Sequence, residues 1–360
     1  MKIFLISNMY PSEDDPDYGI FVRNIEKALE KNGATITEKA VISGRPKSST
    51  DKLYKYKKFY TDIFSAYRKG DFDLVYLHFI SHSSPGLLMT KTMFGKKKKI
   101  VINVHGSDIL VHNKGVLKTC NEKLLKQTDL LIVPSDFLKG IIGEVFPDFP
   151  ENDIYISPSG GIDSDIFYLQ KKIKSEKTFH IGFVSRIETE KGWRTFLQAL
   201  KLLASNNFKF KASITGTGSE VRDLKRTIIE YNLKEQVNYF GVLSQKELSI
   251  FYNKLDLFIF PTEAEESLGL VGLEAMACGT PVIGSKIAGL ETFIKDKENG
   301  LFFTSGDEKE LAEKIRYYFN LSNNEKSVMQ QQALRTAHAY DEKQVAKKLF
   351  QKLKQLLNKS

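Results

Sequence analysis

Twice along this chain, short apolar runs alternate with helical segments, and no other feature narrows the fold as far. In the first half the runs are KIFLIS, DLVYLH, KIVINV and DLLIV, separated by segments such as GIFVRNIEKALEKNG. In the second half they are HIGFVS, FKASIT, VNYF, DLFIF and TPVIG. A strand that is apolar at nearly every position is buried on both faces, and a parallel neighbour is usually reached through a helix. The pattern therefore predicts two parallel sheets, each covered by helices. In the second half, helices are expected to start near Gly192, Gly218, Ser244 and Leu268. Between the halves, Ser157-Pro-Ser-Gly-Gly-Ile-Asp has the residues of a turn and a hinge. Asp341 is placed to cap a final helix, DEKQVAKKLFQKLKQLL, with an apolar stripe of Val345, Leu349, Leu353 and Leu356.

A chain of 360 residues fits two domains of ordinary size. Its 41% hydrophobic and 27% charged content is that of a soluble globular protein. No run approaches the ~20 apolar residues of a membrane-spanning helix. The start, MKIFLISNMYPSEDDPD, reads as a first strand and loop rather than a signal peptide. Cys120 and Cys278 stand in unrelated contexts and supply neither a disulfide framework nor a metal set, which suits a reducing cytoplasm.

The net charge of +9 is unevenly placed. Residues 39–126 carry 18 Lys and Arg against 6 Asp and Glu, while the other 272 residues carry 35 against 38. Aromatic residues interleave with the bases in LYKYKKFYTDIFSAYRKG, and a second basic cluster follows Phe94. Such a region is either a solvated helix face with a lysine-rich turn or a docking surface for an anionic membrane, where each cation is worth about 1 kcal/mol. No nucleic-acid-binding motif accompanies it, so a nucleic-acid partner is not expected.

The chemistry concentrates in residues 260–284, FPTEAEESLGLVGLEAMACGTPVIG. Glu266 falls in a polar loop and Glu274 eight positions on, with a helix starting between them. The first turn of a helix has backbone N–H groups without internal partners and a partial positive charge, so it attracts phosphate. Helical side chains lean back toward the N-terminus, which brings Glu274 close behind that start. One carboxylate before an anion site and one behind it match a nucleotide diphosphate-sugar, whose hydroxyls flank its pyrophosphate.

This stretch resembles the signature of the retaining glycosyltransferases of family four, two glutamates separated by seven residues followed by Glu-Ala-Met-Ala-x-Gly-x-Pro-Val-Ile. Ser267 and Leu268 stand where that family often has Gly and Phe. The resemblance implies the GT-B architecture, two Rossmann-like parallel-sheet domains facing a central cleft, with a C-terminal helix returning to the first domain. It implies an acceptor-binding domain over residues 1–160, a donor-binding domain over 161–338 and a returning helix over 339–360.

Three further segments carry the likeness. GFVSRIETEKG resembles the family's Gly-Arg-Leu…Glu-Lys-Gly motif, whose Arg and Lys contact the diphosphate, which assigns that role to Arg186 and Lys191. His-Gly-Ser-Asp at 105–108 resembles the segment whose histidine lies beside the donor sugar. His105 is thereby expected to contact a sugar hydroxyl. The loop MYPSEDDPDYGIFVRNI has Tyr18-Gly19 where relatives commonly have a Gly-Gly pair near the phosphate. Gly216 and Gly218 are implied to line the nucleotide cleft, and Tyr239-Phe-Gly241 to run beside the base. His78, His82, His112, His180 and His338 show no metal-ligand spacing, Trp193 reads as a packing residue, and no Asp-x-Asp pair marks a metal site.

The expected activity is hexosyl transfer with retention, from a nucleotide diphosphate-sugar, UDP-linked by default, to a cell-surface glycan or lipid-linked saccharide. Glu266, His105, Arg186 and Lys191 would form the catalytic set. Gly19, Gly216, Gly241, Gly269, Leu270, Val271 and Glu274 would complete the donor site with Arg186, Lys191 and Glu266. No metal or other cofactor is expected, because the cations and the helix start neutralise the pyrophosphate. The expected location is cytoplasmic, with peripheral contact on the inner face of the membrane through residues 39–126. A nucleotide-sugar epimerase of the same architecture and a non-catalytic nucleotide-sugar-binding subunit remain open alternatives. A glycosidase ranks lower, having no use for Arg186, Lys191 and a phosphate-seeking helix start.

Overall fold

The computed structural model describes residues 1–95, 97–110, 115–170 and 178–358. The chain forms two compact units, Met1–Gly161 with Glu342–Ser360, and Ile162–Asp341. These divisions stand against expected boundaries at 160 and 338.

The first unit has strands β1 (Lys2–Tyr10), β2 (Thr35–Ser43), β3 (Leu74–His78), β4 (Lys99–Asn103), β5 (Leu130–Val133) and β6 (Ile154–Ile156). Between them run helices α1 (Ile20–Lys31), α2 (Ser49–Lys69), α3 (Ile80–Phe94), α4 (Ser107–Leu110), α5 (Gly115–Leu125) and α6 (Asp136–Val145). The sheet order is β2-β1-β3-β4-β5-β6, with every neighbouring pair parallel.

The second unit has strands β7 (Phe179–Val184), β8 (Phe210–Thr215), β9 (Val237–Tyr239), β10 (Leu257–Phe260), β11 (Val282–Ser285) and β12 (Gly300–Phe303). Its helices are α7 (Trp193–Ser205), α8 (Val221–Glu230), α9 (Gln245–Lys254), α10 (Leu270–Ala277), α11 (Leu290–Phe293), α12 (Glu308–Asn320) and α13 (Asn323–Ala339). The order is β12-β11-β10-β7-β8-β9, again all parallel. Two doubly wound α/β units are what the alternating apolar runs predict.

Each sheet is covered on both faces because its inner strands bury both sets of side chains. In β3, Val75 and Leu77 join Phe59, Ile63 and Tyr67 of α2 in one core. Leu74 and Tyr76 point the other way, into a core with Val22, Ile25 and Leu29 of α1. That second core is closed by the last helix, α14 (Glu342–Asn358), through Leu349, Leu353 and Leu356. The C-terminal helix thus returns to the first unit on the stripe read from the sequence. In the second unit Trp193, Phe196 and Leu200 of α7 pack on one face of the sheet, and Leu273 and Met276 of α10 pack on the other.

Both sheets have a topological switch point, between β1 and β3 in the first unit and between β7 and β10 in the second. Ligands of open parallel sheets bind outside the carboxyl ends of the strands at such points. Gly19 follows β1, Arg186 and Lys191 follow β7, and Glu266 to Gly269 follow β10, all at the switch points, while His105 follows β4, one strand beyond the first of them.

Candidate functional site

In the second unit the loop after β7 and the loop after β10 are bound together. Glu263 and Ala264 both donate their backbone N–H to the Glu190 carbonyl, at 2.9 and 3.0 Å. Gly192 is the point of closest approach. Its φ of +71° is open to glycine, and a Cβ there would lie 1.7 Å from the Pro261 carbonyl oxygen. Any side chain would force the two loops apart. Gly216, at φ +133°, meets the Ser185 carbonyl in the same way, which brings the end of β8 against the segment that carries Arg186.

This seam sets the two central charges. Lys191 Nζ donates to Glu266 Oε1 at 2.6 Å, and both side chains are largely withdrawn from water. The Thr262 hydroxyl donates to the same oxygen at 3.2 Å. Arg186 is exposed and leans toward Glu190 at 3.7 Å. Its guanidinium is therefore held only weakly by the protein, whereas Lys191 is fixed. An ammonium has three N–H donors, so Lys191 can keep Glu266 and still meet an incoming oxygen.

Helix α10 begins at Leu270, with Gly269 as its N-cap in the left-handed conformation. No side chain caps it, so amides of its first turn are left for solvent or a ligand. Glu274 lies just over one turn inside. The buried Tyr252 of α9 donates its hydroxyl to Glu274 Oε2 at 3.1 Å. Burial pushes the Glu274 carboxyl up to about 7, and the Tyr252 hydrogen bond opposes that rise. Burial and the Glu274 charge together push the Tyr252 phenol far above its ordinary range, so it remains a donor.

Gly216 and Gly241 meet through the backbone, Gly216 N–H donating to the Gly241 carbonyl at 2.7 Å. The Tyr239 hydroxyl donates to the Gly216 carbonyl at 2.7 Å. Helix α8 starts at Val221 rather than near Gly218. The backbone of Gly218 lies flat on Ile187, where a Cβ would stand 2.3 Å from a carbonyl oxygen. The chain uses the next residues to turn before the helix can begin. Trp193 is fully buried, as expected of a packing residue, and its indole N–H also donates to Glu220 at 2.7 Å.

In the first unit His105 follows β4 and is ringed by aromatic side chains. Phe21 and Phe79 lie 4.8 and 4.5 Å from it, centroid to centroid. Phe79 holds a φ of +59°, a strained conformation for a bulky residue and the kind found near functional sites. The loop is tied down by buried Asp108, whose carboxylate accepts from the backbone N–H of His105 at 3.0 Å and of Ile80 at 3.1 Å. Burial raises the Asp108 carboxyl to about 6, against those backbone donors. Burial lowers the His105 imidazole to about 3, so His105 is neutral across the physiological range. Gly19 forms the N-cap of α1 at φ +70°, against the Met9 carbonyl.

The second unit thus brings together Lys191 with Glu266, Arg186 with the same loop, and Glu274 with the α10 start. His105 and Gly19 belong to the first unit. Sequence reasoning missed Tyr252, Thr262 and Glu190, which hold those groups from neighbouring elements. It also missed His78, which contacts His105 from β3. Only strand pairing reveals the last contact, because β3 and β4 run in register with His78 opposite Asn103. Among the described residues no group of His, Cys, Asp and Glu is placed to hold a metal ion; His112 lies outside the described residues.

Comparison with known proteins agrees with the fold. A family model described as "Glycosyl transferases group 1" matches residues 165–335, which span the Lys191, Glu266 and Glu274 cluster. The capsular polysaccharide biosynthesis glycosyltransferase CapM of Staphylococcus aureus is 29% identical over 169 residues, covering 45% of this chain and 44% of CapM. The matched segment is therefore less than half of that relative's length. Among solved structures, sucrose-phosphate synthase from Thermosynechococcus elongatus superposes with a TM-score of 0.80 at 18% identity, over 100% of both chains. HepE of Anabaena, in complex with UDP and glucose, superposes with a TM-score of 0.73 at 18% identity, over 99% of this chain and 100% of HepE. The chain has the two-unit GT-B fold, and its residues 165–335 match the family model of group 1 glycosyl transferases.

Proposed function

We propose that this chain is a retaining hexosyltransferase of polysaccharide or glycan assembly, taking its sugar from a UDP-sugar. One observation carries the reading most. The Lys191–Glu266 pair stands beside the uncapped start of α10, at the switch point between β7 and β10. A cation fixed by a carboxylate, an exposed Arg186 and a row of free amides are a receptor for a diphosphate. Glu274 behind them is a hydrogen-bond acceptor for the ribose. CapM acts in capsular polysaccharide biosynthesis by its name, and HepE was solved with UDP and glucose. Both fit this donor and pathway class.

Catalysis on this reading is electrostatic. As the bond from the anomeric carbon to the diphosphate breaks, negative charge gathers on the departing oxygen. Arg186, Lys191 and the amides of Gly269 to Val271 stabilise it, as preorganised donors do where charge develops. They neutralise the diphosphate without calling on a metal. Glu266 faces the donor sugar, where its carboxylate offsets positive charge on the ring. His105 contacts a sugar hydroxyl. Holding acceptor and donor together supplies the proximity term. The test is transfer from UDP-glucose, UDP-galactose or UDP-N-acetylglucosamine to a panel of glycan acceptors, with the product's anomeric proton read by NMR. An α-linked product is expected. A β-linked product would remove retention, and nucleotide-sugar turnover to an epimer without transfer would overturn the reading.

The acceptor is proposed to be membrane-borne. Much of the basic stretch is internally paired, as in Lys58 with Asp62 and Lys69 with Glu38. Lys52 and Lys57 flank Leu53 and Tyr54, which are 73% and 67% exposed on α2. Apolar side chains among cations suit an anionic lipid surface. Flotation with anionic liposomes at low salt is expected to carry the protein upward. Protein left at the bottom of the gradient would exclude this contact.

A further inference from the structure

His78 is fully buried at the end of β3, and no role in the transfer described above involves it. Its Nδ1 lies 3.0 Å from Nε2 of His105. The ring planes are within 13° of parallel and the centroids are 5.2 Å apart. With a nitrogen contact that short, the rings meet edge to edge in nearly one plane, as two hydrogen-bonded imidazoles do. Among the described residues this is the only hydrogen bond of the His105 ring. The other nitrogen of His78, Nε2, is buried and has no hydrogen-bond partner among the described residues.

Those facts constrain where the protons sit. Two neutral imidazoles joined by one hydrogen bond share one proton between Nδ1 of His78 and Nε2 of His105. Neutrality is enforced on both, since burial lowers each and two charged rings in contact would repel. If His105 were the donor, His78 would carry its own proton on Nε2, an orphaned N–H in the core. Orphaned buried N–H groups are rarer than unsatisfied acceptors. The other arrangement leaves only a lone pair in the core, because the Nδ1–H goes to His105, which is only partly buried and can meet water or a ligand.

We infer that His78 is a positioning residue: it donates its Nδ1–H to Nε2 of His105 and so fixes His105 as the Nδ1–H tautomer. His105 then presents an N–H and acts as a hydrogen-bond donor to its ligand, not as a base. The carboxylate of Asp108 takes part only through the backbone, so it does not set the tautomer. The identity of that ligand as a sugar hydroxyl rests on the proposed function, whereas the tautomer does not.

The experiment is long-range ¹H–¹⁵N NMR on the full chain labelled at histidine, without ligand. His105 is expected to show a protonated Nδ1 and an unprotonated Nε2. His78→Phe keeps a planar ring but no donor, and the His105 signals should shift to a mixture of tautomers. His78→Asn offers an amide N–H near the former Nδ1 and should restore the single tautomer. Donor turnover should fall in His78→Phe with KM for the donor unchanged. It should fall no further when the same change is made in a His105→Ala background, the signature of action through His105. A wild-type His105 protonated on Nε2, or an unchanged tautomer in His78→Phe, would overturn the inference. Because these spectra need no substrate, they stand even if transfer activity is not found.

Discussion

Replacing Arg186 with alanine should lower kcat/KM for UDP-sugar turnover by about 100–1,000-fold while leaving the melting temperature unchanged. The magnitude is that of losing one preorganised donor to a developing oxyanion. The stability expectation follows from exposure: the Arg186 side chain is 67% accessible and its one ion pair among the described residues, to Glu190, is long at 3.7 Å. Exposed pairs of this kind contribute little to folding. Lys191→Ala should cost similar activity but also lower stability, because it leaves the Glu266 carboxylate largely buried without its cation. The comparison separates chemistry from folding. Steady-state release of UDP alongside thermal melts checks it, and an Arg186→Ala enzyme with wild-type kcat/KM would remove Arg186 from the catalytic set. Arg186→Lys should recover part of the loss, since it restores charge without the two-pronged geometry.

Glu274→Gln should make the protein more stable and worse at binding its donor. The Glu274 carboxyl is raised from 4.5 to about 7, first by burial. Between those values the folded carboxyl keeps a proton that the unfolded one has released. Wild-type stability therefore falls as pH rises from about 4.5 to about 7, and levels off above. The full displacement corresponds to on the order of 3 kcal/mol. Glutamine has no proton to lose, so the two melting curves should meet near pH 4.5 and diverge up to pH 7. Binding should move the other way. An ionised Glu274 accepts charge-assisted hydrogen bonds from the ribose, and losing them costs about 1.5–3 kcal/mol, or roughly 10–100-fold in affinity at pH 8. The wild-type donor affinity should also weaken below pH 7, and the variant's should not. Equal melting temperatures at pH 8 would contradict the buried-charge account. Equal affinities would remove Glu274 from the donor site.

What the sequence showed and concealed follows from burial. Inner strands such as β3, β5 and β10 are buried on both faces and appear as unbroken apolar runs. The strands that escaped notice, β2, β6 and β12, all lie at sheet edges. In β2 only Ala40 and Ile42 are buried, so its sequence, TITEKAVIS, has no apolar run to find. The candidate residues Arg186, Lys191, Glu266, Glu274 and His105 were legible because each sits in a compact motif, with its chemistry encoded over a few positions. Their partners were not, because Tyr252 reaches Glu274 from another helix and His78 reaches His105 from another strand. Lys191 and Glu266 stand 75 positions apart. Nothing in their spacing says that they touch; the glycine at 192, pressed on Pro261, is what brings the loops together.

The central claim is that the second unit holds a nucleotide diphosphate between Arg186, Lys191 and the start of α10. It is tested most directly by thermal melts of the wild-type and Arg186→Ala proteins with UDP, GDP and ADP and their sugars. A ligand at 100 times its Kd that binds only the folded state adds about 2.7 kcal/mol of stability. A clear upward shift with UDP and UDP-sugars is expected in the wild type, much reduced in Arg186→Ala. No shift with any nucleotide, or an equal shift in both proteins, would contradict the account.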